Sequence, residues 1–357
     1  MSNVSQDFSF RYKPARWLIF IAAFFSYLYI YTQENEHYRI AFYNVENLFD
    51  TKHDTLKRDL EYVEGGPRHW NKSRFYKKIN GLAKVITALG QWDGLTAVGL
   101  CEVENKYVIN KLLYHPLLKK NTFRAIQYSS PDKRGIQNVF LYDTTRVKIF
   151  KSCPVPVSFP FDTASKTRDI LYVKAGLAGD TLHFFINHWP SNYEGFMNSN
   201  EKRRYVASLL RSKADSILKV ASGAKIIIMG DLNESTEGEN ISKILGAGTA
   251  QDTVNTGRLF VNLMAEPSFS ARGTHKYHGI WDILDHIIVS KPLFDATSGL
   301  RIKDNKAAVF SAEFLLEKDD KYLGEKPFRT YSGFRYKGGF SDHLPVYIDL
   351  EIVPGKQ

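Results

Sequence analysis

Phe340-Ser341-Asp342-His343-Leu344-Pro345-Val346 is the stretch whose reading decides this chain. An Asp-His pair stands ahead of an apolar alternating run, the way a strand mouth presents a base and a metal-facing carboxylate. Alone, Ser-Asp-His is a weak signal. Working outward, five matching pieces lie upstream: Asn44-Val45-Glu46-Asn47, Leu100-Cys101-Glu102-Val103-Glu104-Asn105, Asn187-His188-Trp189-Pro190-Ser191, Gly230-Asp231-Leu232-Asn233 and Leu284-Asp285-His286. Each adjoins a strand-like run, and together they make a strong signal.

The runs between the pieces predict the fold class. Residues 38–45 alternate as a first strand, and 95–101, 138–142, 170–175, 182–187, 225–229, 285–290 and 344–352 read as strands. Residues 71–89 carry Phe75, Ile79, Leu82, Val85, Ile86 and Leu89 on one helical face, with Gly90 as a stop. Residues 201–220 repeat the pattern on Val206, Leu209, Leu210, Ile217 and Leu218. Strands and helices alternate, yet several strand pairs lie as close as hairpins. That predicts an α/β fold of two packed mixed sheets with helices outside, not a doubly wound parallel sheet. No repeat, low-complexity segment or linker interrupts the chain after residue 38.

A length of 357 residues is enough for one large domain with a deep core. The formal charge is +10 and the pI about 9.3, which suits a polyanionic partner or a basic soluble surface. The two cysteines make no disulfide framework. Cys101 reads as a buried strand residue and Cys153 as part of a loop. Residues 17–31, WLIFIAAFFSYLYIY, form an apolar run behind Arg11, Lys13 and Arg16. It is shorter than the ~20 residues of a full span, and no small-residue cleavage site follows it. The expectation is a basic segment (1–16), a signal anchor (17–31) and an extracytoplasmic catalytic domain (38–354). A cleaved signal peptide with secretion is the alternative.

Each piece suits a role. Glu102 leaves an apolar strand and suits a hard cation such as Mg²⁺. Gly230 is expected to let the backbone turn, so that Asp231 and Asn233 face one way. Asp231 would orient or deprotonate a water, and Asn233 would hold a phosphoryl oxygen or the metal. An Asx-turn is the bland alternative. His188, at a strand end, suits a proton donor or phosphate contact. Asp285 would hold the tautomer of His343, the base or charge stabiliser. Asp342 and Asn44 are further metal-facing candidates. No Cys/His cluster implies zinc, and no Gly-rich phosphate loop implies a nucleotide motor.

Taken together, these residues resemble the endonuclease/exonuclease/phosphatase superfamily over residues 38–352, in a bacterial membrane-anchored or secreted subgroup. The resemblance implies a four-layered α/β sandwich and a Mg²⁺- or Mn²⁺-dependent phosphoesterase site. It assigns Asn44, Glu102, Asp231, Asn233, Asp285, Asp342 and His343 to the family's motif positions. His188 matches the extra histidine of the deoxyribonuclease branch, and Asp169 of Arg168-Asp169 a supporting acid. No segment matches the sphingomyelinase lipid pattern or the phosphatase substrate signature. Arg329, Tyr331, Arg335, Tyr336 and Lys337, with Arg134, interleave cations and aromatics as nucleic-acid contacts do; a solvated loop is the alternative. The expected function is a monomeric phosphodiesterase or endonuclease on nucleic acid. The alternatives are a phosphatase or phospholipase on membrane lipid or small phosphate esters, and a non-catalytic binding module.

Overall fold

The computed structural model describes residues 37–119, 122–191, 195–252, 258–265 and 272–355. The apolar run 17–31 lies outside them; among the described residues no helix is long and apolar enough to cross a membrane. In chain order the first half comprises β1 (Tyr38–Leu48), α1 (Lys72–Gly90), β2 (Leu95–Val103), α2 (Lys106–Leu113), α3 (Pro116–Lys119), β3 (Phe123–Gln127), β4 (Gln137–Asp143), β5 (Val147–Val155), β6 (Ile170–Leu177) and β7 (Asp180–His188). Then come α4 (Phe196–Val220), β8 (Lys225–Asp231), β9 (Ala247–Gly248), β10 (Phe260–Asn262), β11 (His275–Tyr277), β12 (Ile280–Asp282), β13 (Asp285–Ser290), α5 (Lys291–Phe294), β14 (Gly299–Val309), β15 (Leu316–Lys318), β16 (Glu325–Pro327), β17 (Tyr331–Ser332), β18 (Arg335–Tyr336) and β19 (Val346–Val353).

Two mixed sheets form the centre. One runs β14-β19-β1-β2-β4-β3, the other β5-β6-β7-β8-β13-β10-β9. Their facing sides share one core, in which Ile40, Phe42 and Phe140 meet Phe184, Ile186, Ile227 and Met229. The Phe140 and Phe184 rings approach to 4.9 Å. α1 and α2 cover the first sheet through Phe75, Ile79, Leu82 and Val108, and α4 covers the second through Val206, Ala207 and Leu210. The result is a four-layered α/β sandwich.

This topology gathers the six motif pieces at one end. β1 and β2 are parallel, joined by a crossover that contains α1, and β7 and β8 are parallel, joined across α4. Parallel strands exit at the same edge, so Asn44 and Glu102 leave one sheet where His188 and Asp231 leave the other. β13 and β19 run antiparallel to these pairs, so their N-terminal ends, at Asp285 and just after His343, lie at that edge too.

Three expectations are corrected. Cys153 lies in edge strand β5, not a loop, and both thiols are free. β14 was not expected; its apolar start breaks at Lys303-Asp304-Asn305-Lys306, where Asp304 and Asn305 have φ of 55° and 52° and shift the register against β19. Gly230 is not a turn: it sits within β8, and a Cβ there would lie 2.4 Å from the Asn187 carbonyl oxygen. The glycine permits close approach of the strands that carry His188 and Asp231. Gly230→Ala is therefore expected to cost about 1–3 kcal/mol, read by denaturant unfolding, with a still larger loss of activity. A variant of unchanged stability would refute the close-approach role.

Candidate active site

Asn44, Glu102, His188, Asp231, Asp285 and His343 converge at the strand ends, all at most 8 % exposed. Asp231 is central. Asn44 Nδ2 donates to its Oδ2 at 2.9 Å, and the Asn233 backbone N–H donates to its Oδ1 at 3.0 Å. His188 Nε2 lies 3.6 Å and His343 Nε2 3.8 Å from Asp231 Oδ2. Burial pushes the Asp231 carboxyl up to about 7, helped by the Asp285 carboxylate and opposed by His343. It is poised to exchange a proton near neutral pH.

His343 Nδ1 donates to Asp285 Oδ2 at 2.7 Å. Burial opposes its charge, but Asp285 and Asp231 overcome that and hold the imidazole well above its ordinary range. The dyad is fixed from behind. The His343 backbone N–H donates to Ser341 Oγ, which itself donates to the Asn44 carbonyl at 2.7 Å. Thr274, fully buried, accepts from the Leu284 and Asp285 N–H groups, and its carbonyl accepts from Leu344 N–H. His188 behaves oppositely. Burial, with Arg168 and Arg134, keeps it neutral, well below the ordinary histidine value, and its Nδ1 is buried with no partner.

Glu102 takes a left-handed backbone (φ 63°) at the end of β2, as does Asn233 (φ 50°) after β8. Such non-glycine positions cost of order 1–3 kcal/mol each and concentrate at functional sites. Glu102 Oε2 accepts the Asn47 N–H at 2.8 Å. Its Oε1 has Arg134 at 3.5 Å and His188 Nε2 at 3.8 Å. Asn233 Nδ2 donates to the Trp189 carbonyl.

Glu102 fits a hard divalent cation: it is a carboxylate whose Oε1 is not saturated by hydrogen bonds. Glu102 would hold the ion through Oε1. Ligand atoms of Asp231, Asp285 and His343 also lie within 4.8 Å of one another. That trio is better suited to proton transfer, because an imidazole raised in its affinity for protons is a poor ligand. Asn44 has both amide ends engaged, its Oδ1 by the Glu46 N–H at 3.0 Å. Asp342 Oδ2 pairs with Arg329 Nη2 at 2.8 Å, and the positive charge of Arg329 holds its carboxyl far below the ordinary range against burial.

The basic residues disperse. Arg134 reaches Glu102 and also donates to Asn47 Oδ1. Lys337 is paired with Glu317 at 3.2 Å, and Arg335 stands exposed on β18. Tyr331 is buried, and Tyr336 packs against it and under Arg74. Asp169 accepts the Val157 N–H and serves its own loop, while Arg168 pairs with Asp132 and donates to the Trp189 carbonyl.

Several contributors escaped the motif reading. The His275 ring packs at a tilt against His343 with ring centroids 4.8 Å apart, and burial holds it down to about 4. Arg203 of α4, 1 % exposed, reaches Glu234 and the Pro190 carbonyl, tying the Asp231 loop to the His188 loop. Lys78 of α1, 2 % exposed, donates to Thr330 Oγ1 and the Phe340 carbonyl. Both cations fall on the apolar stripes of their helices: Lys78 between Phe75 and Leu82, Arg203 three before Val206. A long cation in a buried stripe is a readable signal that its head has a fixed partner.

The sequence profile described as "Endonuclease/Exonuclease/phosphatase family" matches residues 39–352. Among curated proteins, no sequence matches the chain. Similar solved structures include humanized D. rerio TDP2 at 15 % identity and TM-score 0.55, covering 88 % of this chain and 99 % of that one. The Bacteroides thetaiotaomicron mannosyl-6-phosphatase gives the same four figures. The human Nocturnin catalytic domain is 13 % identical with TM-score 0.52, covering 89 % of this chain and 95 % of that one. At such identity these likenesses speak for the fold. The profile match over nearly the whole described body, on a site built as above, shows that the chain belongs to the endonuclease/exonuclease/phosphatase family.

Proposed function

We propose that the chain is a divalent-metal-dependent phosphoesterase that cleaves phosphodiester bonds in nucleic acid, outside the cytoplasm and tethered by residues 17–31. The observation that carries the hydrolase reading is Asp231, raised to about 7 and held between Asn44 and the His343–Asp285 dyad. A bound divalent ion would neutralise charge on the phosphoryl oxygens. Asp231 accepts a proton from the attacking water, and Asn44 and the Asn233 N–H fix its orientation. His343, braced by Asp285, presents positive charge to the developing phosphorane through Nε2. Neutral His188 offers a hydrogen bond without adding to that charge.

The +10 charge supports a polyanionic substrate. A second reading, small phosphate esters, is favoured by one observation: Tyr331 is buried and Lys337 already paired, so these two residues are engaged within the protein rather than presented to a polymer. Nicking of supercoiled plasmid with Mg²⁺, abolished by EDTA and by His343→Ala, is the expected result. Hydrolysis of a hexose phosphate but not of plasmid would transfer the proposal to the second reading. A folded protein inactive on both, and on bis(p-nitrophenyl) phosphate, would refute the phosphoesterase reading.

A further inference from the structure

We propose that the β11–β12 hairpin is a stacking platform for a nucleobase beside the catalytic dyad, so that the strand bound there is single; this rests on the nucleic-acid reading above. β11 is tied to the dyad through its backbone. His275 forms an isolated antiparallel bridge with His343, and the Thr274 carbonyl accepts the Leu344 N–H at 2.7 Å. Side chains alternate along a strand, so Tyr277 shares the face of His275, about 7 Å further along. Ile280 stands opposite Tyr277 on β12 and joins that face. Tyr277 is 66 % exposed and Ile280 72 %. Lys276 and its partner Trp281 take the other face, with Lys276 Nζ 5.9 Å from the indole centre.

The tip is built and held. His278 and Gly279 both have positive φ, 48° and 84°, the turn that closes two-residue hairpins. It lays the His278 ring parallel to Tyr277, with centroids 4.1 Å apart and planes at 11°. Tyr322, from the β15–β16 turn, continues the stack at 6.2 Å and 29°. Gly279 makes room for it, since a Cβ there would lie 2.9 Å from Tyr322 Cγ. Lys276 clamps the two hairpins together: Nζ donates to the Leu323 and Glu325 carbonyls at 2.9 and 3.1 Å and pairs with Asp319 at 3.0 Å. Rings held parallel at the surface give up rotamer freedom and bury little in return, so their gain lies in a partner they are already arranged to meet. Fixed parallel rings suit a flat partner better than a flexible acyl chain. With Lys276 spent on the clamp, the tip offers ring faces, which suit a base and not a phosphate. Every base has such a face, and a single strand leaves it open.

The test compares kcat/KM of the full chain on a single-stranded oligonucleotide with that on an abasic strand of the same length. Wild type should prefer the strand that carries bases. Tyr277→Ala should cut that preference by roughly 5- to 100-fold, through KM, the range for loss of one base–aromatic stack. The ratio of the two substrates cancels any loss of folded enzyme. Tyr277→Phe, which keeps the ring, should retain the preference. An unchanged ratio in the alanine variant, or an equal loss in the phenylalanine variant, would overturn the platform and leave the nuclease reading intact. Hydrolysis of a hexose phosphate with neither strand cleaved would overturn both. A KM raised by Tyr277→Ala on a phospholipid in mixed micelles, with the oligonucleotide ratio unchanged, would assign the rings to lipid and overturn the proposal. Relaxed duplex should be a poorer substrate than the single strand, whereas supercoiled plasmid, whose torsion opens unpaired stretches, is still nicked. A preference for relaxed duplex over the single strand would overturn the inference.

Discussion

Asp231→Asn is expected to lower kcat by roughly 10²- to 10⁴-fold on whichever phosphate ester the enzyme accepts, with KM nearly unchanged, the range for loss of a positioned general base. The fold should survive. The amide is isosteric, and it removes a carboxyl whose ionised form burial already disfavours. The pH profile distinguishes a base from a scaffold. With Asp231 at about 7, wild-type activity should rise as pH climbs through that value, because only the ionised form accepts a proton. The asparagine variant should lack this limb in kcat. A variant with most of its activity, or one whose residual rate keeps the limb near 7, would move the base to another group.

Asp285→Asn should be nearly as damaging, at about 10³- to 10⁴-fold in kcat, by analogy with orienting carboxylates behind catalytic imidazoles. The carboxylate at 2.7 Å is the foremost cause of the raised proton affinity of His343; without it, burial is left to dominate and pulls the imidazole down. The group would then be neutral at the working pH, and an amide NH₂ facing Nδ1 would favour the wrong tautomer. The sign is clear: wild type needs His343 protonated, so its activity falls on the alkaline side, and the variant should show that fall at lower pH. An NMR titration of the His343 ring beside the pH–rate profile would check it. An imidazole that titrates as in wild type would show that Asp285 does not set its charge.

Much of this was legible in the chain. Strand and helix periods carry their own signature, so β1, β2, β7, β8, β13 and both long helices could be placed before any coordinates. The site pieces could be named because each follows or leads an apolar run, and strand ends are where side chains leave the core. Two strands carry weak local signals for local reasons: β14 breaks its alternation at a left-handed Asp304-Asn305 pair, and edge strand β5 is interrupted by Lys148, Lys151 and Pro154.

Substrate-side residues were the least legible. Arg335 and Lys337 share a short basic stretch with Arg329, yet only Arg329 reaches the site carboxylates; the β17–β18 hairpin sends Arg335 to solvent and Lys337 to Glu317. Asp342 and His343 are neighbours in sequence but take different partners, Arg329 and Asp285.

By itself, then, the sequence determined the family, the sandwich and the identity of the groups at the strand ends, because hydrophobic period and residue type are local properties. Only the tertiary structure decided which carboxylate serves a histidine, which faces a guanidinium and which stays open for an ion. Those assignments depend on distances between residues as far apart as Glu46 and Arg329, and on the burial that sets each group's charge.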